Sequence, residues 1–64
     1  MAITLRAARV NAGLSRNEVA EALGIHVVTL HKWENGVTEP KLTKLTQMCE
    51  MYGIDIKDVK ILDS

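Results

Sequence analysis

Apolar residues recur along this chain at spacings of three and four, the period of an amphipathic helix, and four glycines, at 13, 24, 36 and 53, punctuate the pattern. The first segment, residues 3–11, sets Leu5, Ala8 and Ala12 on one face and ends at Gly13. Ser15 then opens a second helix. Glu18, three residues on, completes a capping box, Ser-Arg-Asn-Glu. Val19, Ala20 and Leu23 form its buried stripe, and Gly24 stops it in a left-handed turn. Ile25 plugs the corner. A third helix runs from His26 or Val27 to Asn35, with Leu30, Trp33 and then Val37 facing inward and Gly36 ending it. After a loop over 37–40, Pro40 suits the entry to a fourth helix, 41–52, which aligns Leu42, Leu45, Met48, Cys49 and Tyr52. Asp55 caps a fifth, short helix with Asp58 at its N3 position, carrying Ile56, Val59 and Leu62. Every connection is short, as a compact helical domain requires. The pattern predicts an all-α, five-helix domain over residues 1–64, with no strand, repeat or linker.

Residues 15–36, SRNEVAEALGIHVVTLHKWENG, hold two of these patterns meeting at a single glycine. This is the arrangement of a helix-turn-helix, which offers its second helix to the major groove of DNA. At 100° per residue, Leu30 and Trp33 define the inner face of that helix. Val27 with His31, and Val28 with Lys32, are i,i+4 pairs on the opposite side. In a major groove, apolar side chains contact thymine methyls and a lysine donates to guanine O6 and N7. The alternative for Val27 and Val28 is packing against a loop or a partner protein. Arg16 opens the second helix, where free backbone N–H groups point outward and a phosphate fits; otherwise it is a solvated arginine. His26 is a poor N-cap, which favours a ligand-facing role over simple capping. Arg9 and Glu34 lie at the margins of apolar stripes, so both are expected to be partly buried. A buried charge needs a partner, and a bidentate arginine–carboxylate pair between the first and third helices meets that need.

Composition narrows the chemistry. A chain of 64 residues has room for one small domain, burying about 60% of the surface it exposes unfolded. Aromatics are limited to Trp33 and Tyr52, so aliphatic side chains fill the core. The net charge is zero, whereas nucleic-acid binders are usually basic. Its distribution is uneven. Residues 1–32 carry Arg6, Arg9, Arg16 and Lys32 against Glu18 and Glu21. Residues 33–64 carry four lysines against six carboxylates, which orients the N-terminal half toward a polyanion. One cysteine, Cys49, excludes an internal disulfide and makes no zinc site alone. No apolar run approaches the roughly 20 residues of a membrane span. The start, MAITLRAARV, interleaves arginines with apolar residues and is not a signal peptide. His26 and His31 lie about 140° apart around a helix and do not converge on a metal. Cys49 reads as a buried hydrophobe. With no phosphate loop and no nucleophile–base order, neither a catalytic nor a metal site is expected, and no cofactor or small-molecule substrate.

As a set, these residues resemble the Cro/C1-type, or XRE-like, helix-turn-helix proteins of phage and bacterial repressors. The likeness spans residues 5–62. It rests on Ala8-Arg9, Gly13-Leu14-Ser15, Glu18-Val19-Ala20, Leu23-Gly24-Ile25, Thr29-Leu30, Lys32-Trp33-Glu34-Asn35-Gly36, Pro40, Leu45 and Tyr52-Gly53-Ile54. It implies a lambda-repressor-like fold acting as a homodimer on an approximately palindromic double-stranded operator, in the cytoplasm of a bacterial or phage-infected cell. In such proteins the position held here by Arg16 contacts phosphate, with Asn17 beside it in the DNA-binding set. The positions of His26, Val27, Val28 and Lys32 face bases and backbone, with His31 on the same side. Asn35 and the 36–38 loop approach phosphates, and the family's ion pair falls on Arg9 and Glu34. Three departures bear on the operator: His26 replaces a Ser or Thr cap, Arg16 replaces a common Gln, and two valines replace polar residues. The expected function is a sequence-specific transcriptional repressor or Cro-like regulator. Val59, Ile61 and Leu62 either supply the dimer contact or close the core. The rival is a protein-interaction module, such as an antirepressor or antitoxin-type partner, that keeps the fold but binds protein through the same face.

Overall fold

Thr4 decides where the first helix begins. In the computed structural model, which describes residues 2–61, its backbone is extended (φ −73°, ψ 155°) and its hydroxyl accepts the Ala7 N–H at 3.1 Å. Helix α1 therefore spans Leu5–Asn11, and the two preceding residues form strand β1, Ile3–Thr4. Three further helices follow: α2 (Arg16–Leu23), α3 (Val27–Glu34) and α4 (Leu42–Tyr52). A single 3-10 turn, Ile56–Asp58, leads into strand β2, Val59–Lys60. The strands pair in parallel, Ile3 opposite Val59 and Thr4 opposite Lys60.

This corrects the expectation of five helices and no strands. The described residues hold four α-helices and a small strand pair. At the N-terminal end, the Thr4 side chain offers a cap that competes with helical pairing of its own backbone. At the other end, the Asp55 carboxylate accepts the Lys57 N–H at 3.0 Å but holds one turn only. The backbone is extended again at Val59 (φ −74°, ψ 128°). Ile3, Thr4 and Val59 are β-branched, a bias toward extended backbone. A pair this short has no stability of its own; it persists because Ile3 and Val59 both pack on the core. Leu62 lies outside the described residues. Among those residues no helix is long and apolar enough to cross a membrane.

The helix-turn-helix is built at α2. The Ser15 hydroxyl accepts the Glu18 N–H and the Glu18 carboxylate accepts the Ser15 N–H, each at 3.1 Å, a reciprocal capping box. At the other end Gly24 adopts φ +68°, a left-handed conformation that side chains rarely tolerate. It lets Ile25 N–H return to the Ala20 carbonyl at 3.0 Å. The Lys44 ammonium, from α4, donates to the Leu23 carbonyl at 2.8 Å and ties the end of α2 to the body of the domain.

Leu5, Ala8, Val19, Ala20, Leu23, Leu30, Met48 and Tyr52 form the core, with Leu30, Met48 and Val19 wholly out of solvent. Trp33 and Leu45 are half-buried against it. Three expected inward residues point out: Ala12, at the C-cap of α1, is exposed, Val37 is 60% and Leu42 69% exposed. Leu42 is the first residue of α4, before the helix meets the core, and Val37 follows the left-handed turn at Gly36. Val59 joins the core as a partly buried residue, while Ile56 and Ile61 stay exposed.

Tyr52 is the one core residue with an unmet polar atom among the described residues: its buried hydroxyl has no hydrogen-bond partner. Burial, with the Glu34 charge adding to it, pushes its phenol from 10 up to about 12, while Arg9 pulls the other way. The folded protein thus holds the phenol proton where the unfolded chain releases it. The stability associated with that proton is present below pH 10 and lost as pH rises from 10 toward about 12. Tyr52→Phe is expected to raise stability by about 1 kcal/mol, by removing the cost of desolvating an unpaired hydroxyl. Urea denaturation as a function of pH should show a shallower alkaline decline in the variant.

Candidate nucleic-acid interface

The surface that the helix-turn-helix presents is assembled from the first turn of α2 and the outer side of α3. Asn17, His26, Val27, Val28, His31, Lys32 and Asn35 are all exposed, Val28 by 59% and Val27 by 38%. The exposed valines are adjacent, with Lys32 one turn beyond Val28. On the inner side, α3 contributes Leu30 to the core and buries Glu34.

His26 occupies the N-cap position of α3, with φ −72° and ψ 144°, but its side chain makes no capping bond. The first turn of α3 therefore keeps backbone N–H groups uncapped by a side chain, at the positive end of the helix dipole. At the opposite end, Asn35 Nδ2 donates to the His31 carbonyl at 2.7 Å and lies 3.4 Å from His31 Nδ1. The Asn35 amide is thus turned onto its own helix. With Nδ1 facing that amide, His31 keeps Nε2 for an outside partner.

Glu34 is the buried centre of the arrangement, its side chain wholly inaccessible. Arg9, from the last turn of α1, meets it in a two-pronged contact, Nε to Oε2 at 2.7 Å and Nη2 to Oε1 at 3.4 Å. Arg9 Nη1 donates to the Leu14 carbonyl at 2.9 Å, so one guanidinium joins α1, the loop before α2, and α3. Arg16 adds a contact that the sequence reading missed: its Nε donates to Glu34 Oε1 at 3.3 Å. The first position of a helix points outward on sequence grounds; the structure leaves the Arg16 side chain 37% exposed and anchors its Nε inward. The missed signal was electrostatic. Arg16 stands at the positive end of α2 and Glu34 at the negative end of α3, each on the unfavourable pole of its helix.

A cleft lined by Leu5, Trp33, Glu34, Thr38, Pro40 and Lys60 has room for about one water. Among the described residues no three His, Cys, Asp or Glu side chains gather to hold a metal. Cys49 is buried, and desolvation, followed by the charge of Asp55, raises its thiol pKa, so it is held as the unreactive thiol.

A family model described as helix-turn-helix matches residues 5–59, most of the chain. No curated protein matches, and no solved structure does.

Because Arg9 is buried and Glu34 is its counter-ion, Glu34→Gln leaves a guanidinium charge uncompensated. The variant is expected to lose about 3 kcal/mol of stability, read as a lower midpoint in urea or thermal denaturation; an unchanged midpoint would show that the pair contributes nothing to the fold.

Proposed function

Since the chain belongs to the Cro/C1-type helix-turn-helix family of DNA-binding regulators, we propose that it is a sequence-specific repressor or Cro-like regulator that places α3 in the major groove. The observation that carries this reading is the shape of α3: Leu30 and Glu34 hold it to the body, while Val27, Val28, His31 and Lys32 are left exposed together on the other side. Lys32 is the guanine-reading candidate and the two valines are thymine-methyl contacts. Arg16 and Asn17 at the start of α2, and His26 at the uncapped start of α3, take phosphates. His31 contributes Nε2. Asn35 serves mainly to orient His31, since its amide donor is already engaged. Arg9 and Glu34 fix the two helices without touching DNA.

In this mechanism residues 1–64 act as one domain in the cytoplasm, and two copies form a homodimer on an approximately palindromic operator. Their reading helices enter successive major grooves roughly 34 Å apart, which excludes polymerase. The cationic groups available to DNA are few. Arg9 is consumed by Glu34 and Lys44 by the end of α2, so the salt dependence reflects a small number of phosphate contacts. The adjacent exposed valines and the zero net charge favour one rival, a protein-binding module using the same face.

Selection from a random duplex pool, followed by titration of the enriched sequence at several salt concentrations, separates the two. The DNA reading expects an enriched, roughly palindromic site and affinity that falls as salt rises, with the slope of a few phosphate contacts. A pool with no enrichment, or binding indifferent to salt, sinks it. On the selected site, Lys32→Ala should relax discrimination at one base pair by about 1–3 kcal/mol and leave the other positions unchanged.

A further inference from the structure

Glu34 accepts from two arginines on different helices, and they use it differently. Arg9 approaches with Nε and Nη2 and gives Nη1 to the Leu14 carbonyl, so every nitrogen of its guanidinium is occupied inside the protein. Arg16 approaches with Nε alone, at 3.3 Å. Its terminal nitrogens, with four N–H donors between them, have no protein partner among the described residues. Its side chain remains 37% exposed at the first residue of α2, beside Asn17.

We propose that Glu34 is a positioning residue for DNA binding, holding the Arg16 guanidinium by its inner edge so that its outer edge is a preset clamp for one phosphate. The proposal rests on the DNA-binding reading above and adds to it a specific division of labour. Two guanidinium charges face one carboxylate, so the cluster keeps one positive charge. Arg9 is the counter-ion that lets Glu34 be buried, and this leaves the Arg16 charge available to a phosphate. The Nε bond also restricts a long, flexible side chain before DNA arrives, so less rotamer freedom is lost on binding. The same contact offsets two unfavourable helix-end charges.

The geometry requires arginine specifically. A lysine carries the same charge on a single ammonium with no lateral donor; at position 16 it serves Glu34 or a phosphate, not both. The test compares wild type, Arg16→Lys and Arg16→Ala on the selected duplex over a salt series, with circular dichroism melts confirming that each is folded. Arg16→Lys is expected to lose roughly tenfold in affinity, close to the loss in Arg16→Ala, and Arg16→Ala is expected to lower the salt slope by about 0.9, one phosphate contact. In the free wild-type protein, proton exchange at Arg16 Nε–H, followed by NMR, should be slower than at Arg6, which is exposed on α1. Arg16→Lys binding like wild type with an unchanged salt slope overturns the proposal and leaves the DNA reading standing. Equal exchange at Arg16 and Arg6 overturns it as well. Wild type that binds no duplex overturns both.

Discussion

A carboxylate with no solvent contact is the constraint on which this small domain is organised. Glu34 is the last residue of α3, where the helix dipole already disfavours a negative charge, and its side chain has no access to water. Such a group is tolerable only where cations and donors converge on it. They converge from α1 through Arg9 and from α2 through Arg16, while Arg9 also pins the intervening loop at Leu14. One charge therefore dictates the mutual placement of three helices. Moving α3 away from α2 would strand Glu34, and moving α1 would strand Arg9. The geometry of α3 relative to the start of α2 is set by this cluster together with apolar packing.

The features legible in the sequence were those with short-range causes. The Ser15–Glu18 capping box, the left-handed stop at Gly24 and the inward setting of Leu30 each follow from residues within one or two turns of each other, and each is present. What escaped had long-range causes. The strand pair joins residues 3 and 4 to 59 and 60, and two residues are too few to show an alternating pattern. The Thr4 cap was overlooked because Ile3 fits a helical stripe as well as a strand. Lys44 reaches a carbonyl 21 residues away, with no local signature. The Arg16 contact was missed because the first position of a helix reads as an outward position, and only the three-dimensional approach of α3 supplies its partner.

Zero net charge and a DNA-facing surface are compatible once the charges are sorted by what they touch. Glu34 neutralises none of the outer field, because it is buried and matched by Arg9. Glu18 is bound to the Ser15 N–H in the capping box. Much of the remaining acid, Glu50, Asp55 and Asp58, belongs to the end of α4 and the segment after it, on elements other than α2 and α3. Residues 15–36 themselves carry Arg16 and Lys32 against Glu18, Glu21 and the buried Glu34, so the field of the helix-turn-helix is modest and local. On the proposed reading, a face with two exposed valines and few free cations relies on shape and apolar fit more than on long-range attraction, which favours close discrimination over tight nonspecific binding.

Helix α3 illustrates how little of an exposed helix face needs to belong to the fold. An eight-residue helix is far below the length at which helices persist alone, so tertiary contacts impose its conformation. They do so at three points: the Gly24–Ile25 turn before it, Leu30 at its middle and Glu34 at its end. Thr29 and Trp33 are half-buried, and the other four residues are exposed. Anchoring both ends and the centre leaves Val27, Val28, His31 and Lys32 without a structural task in the fold. Substitutions at those four positions can therefore change which partner is read while the scaffold stays intact. The same separation does not extend to Arg16, whose Nε belongs to the scaffold and whose outer edge faces solvent. On the proposed reading a change there alters binding and helix placement together, because Arg16 is held by Glu34 on one edge and exposed on the other.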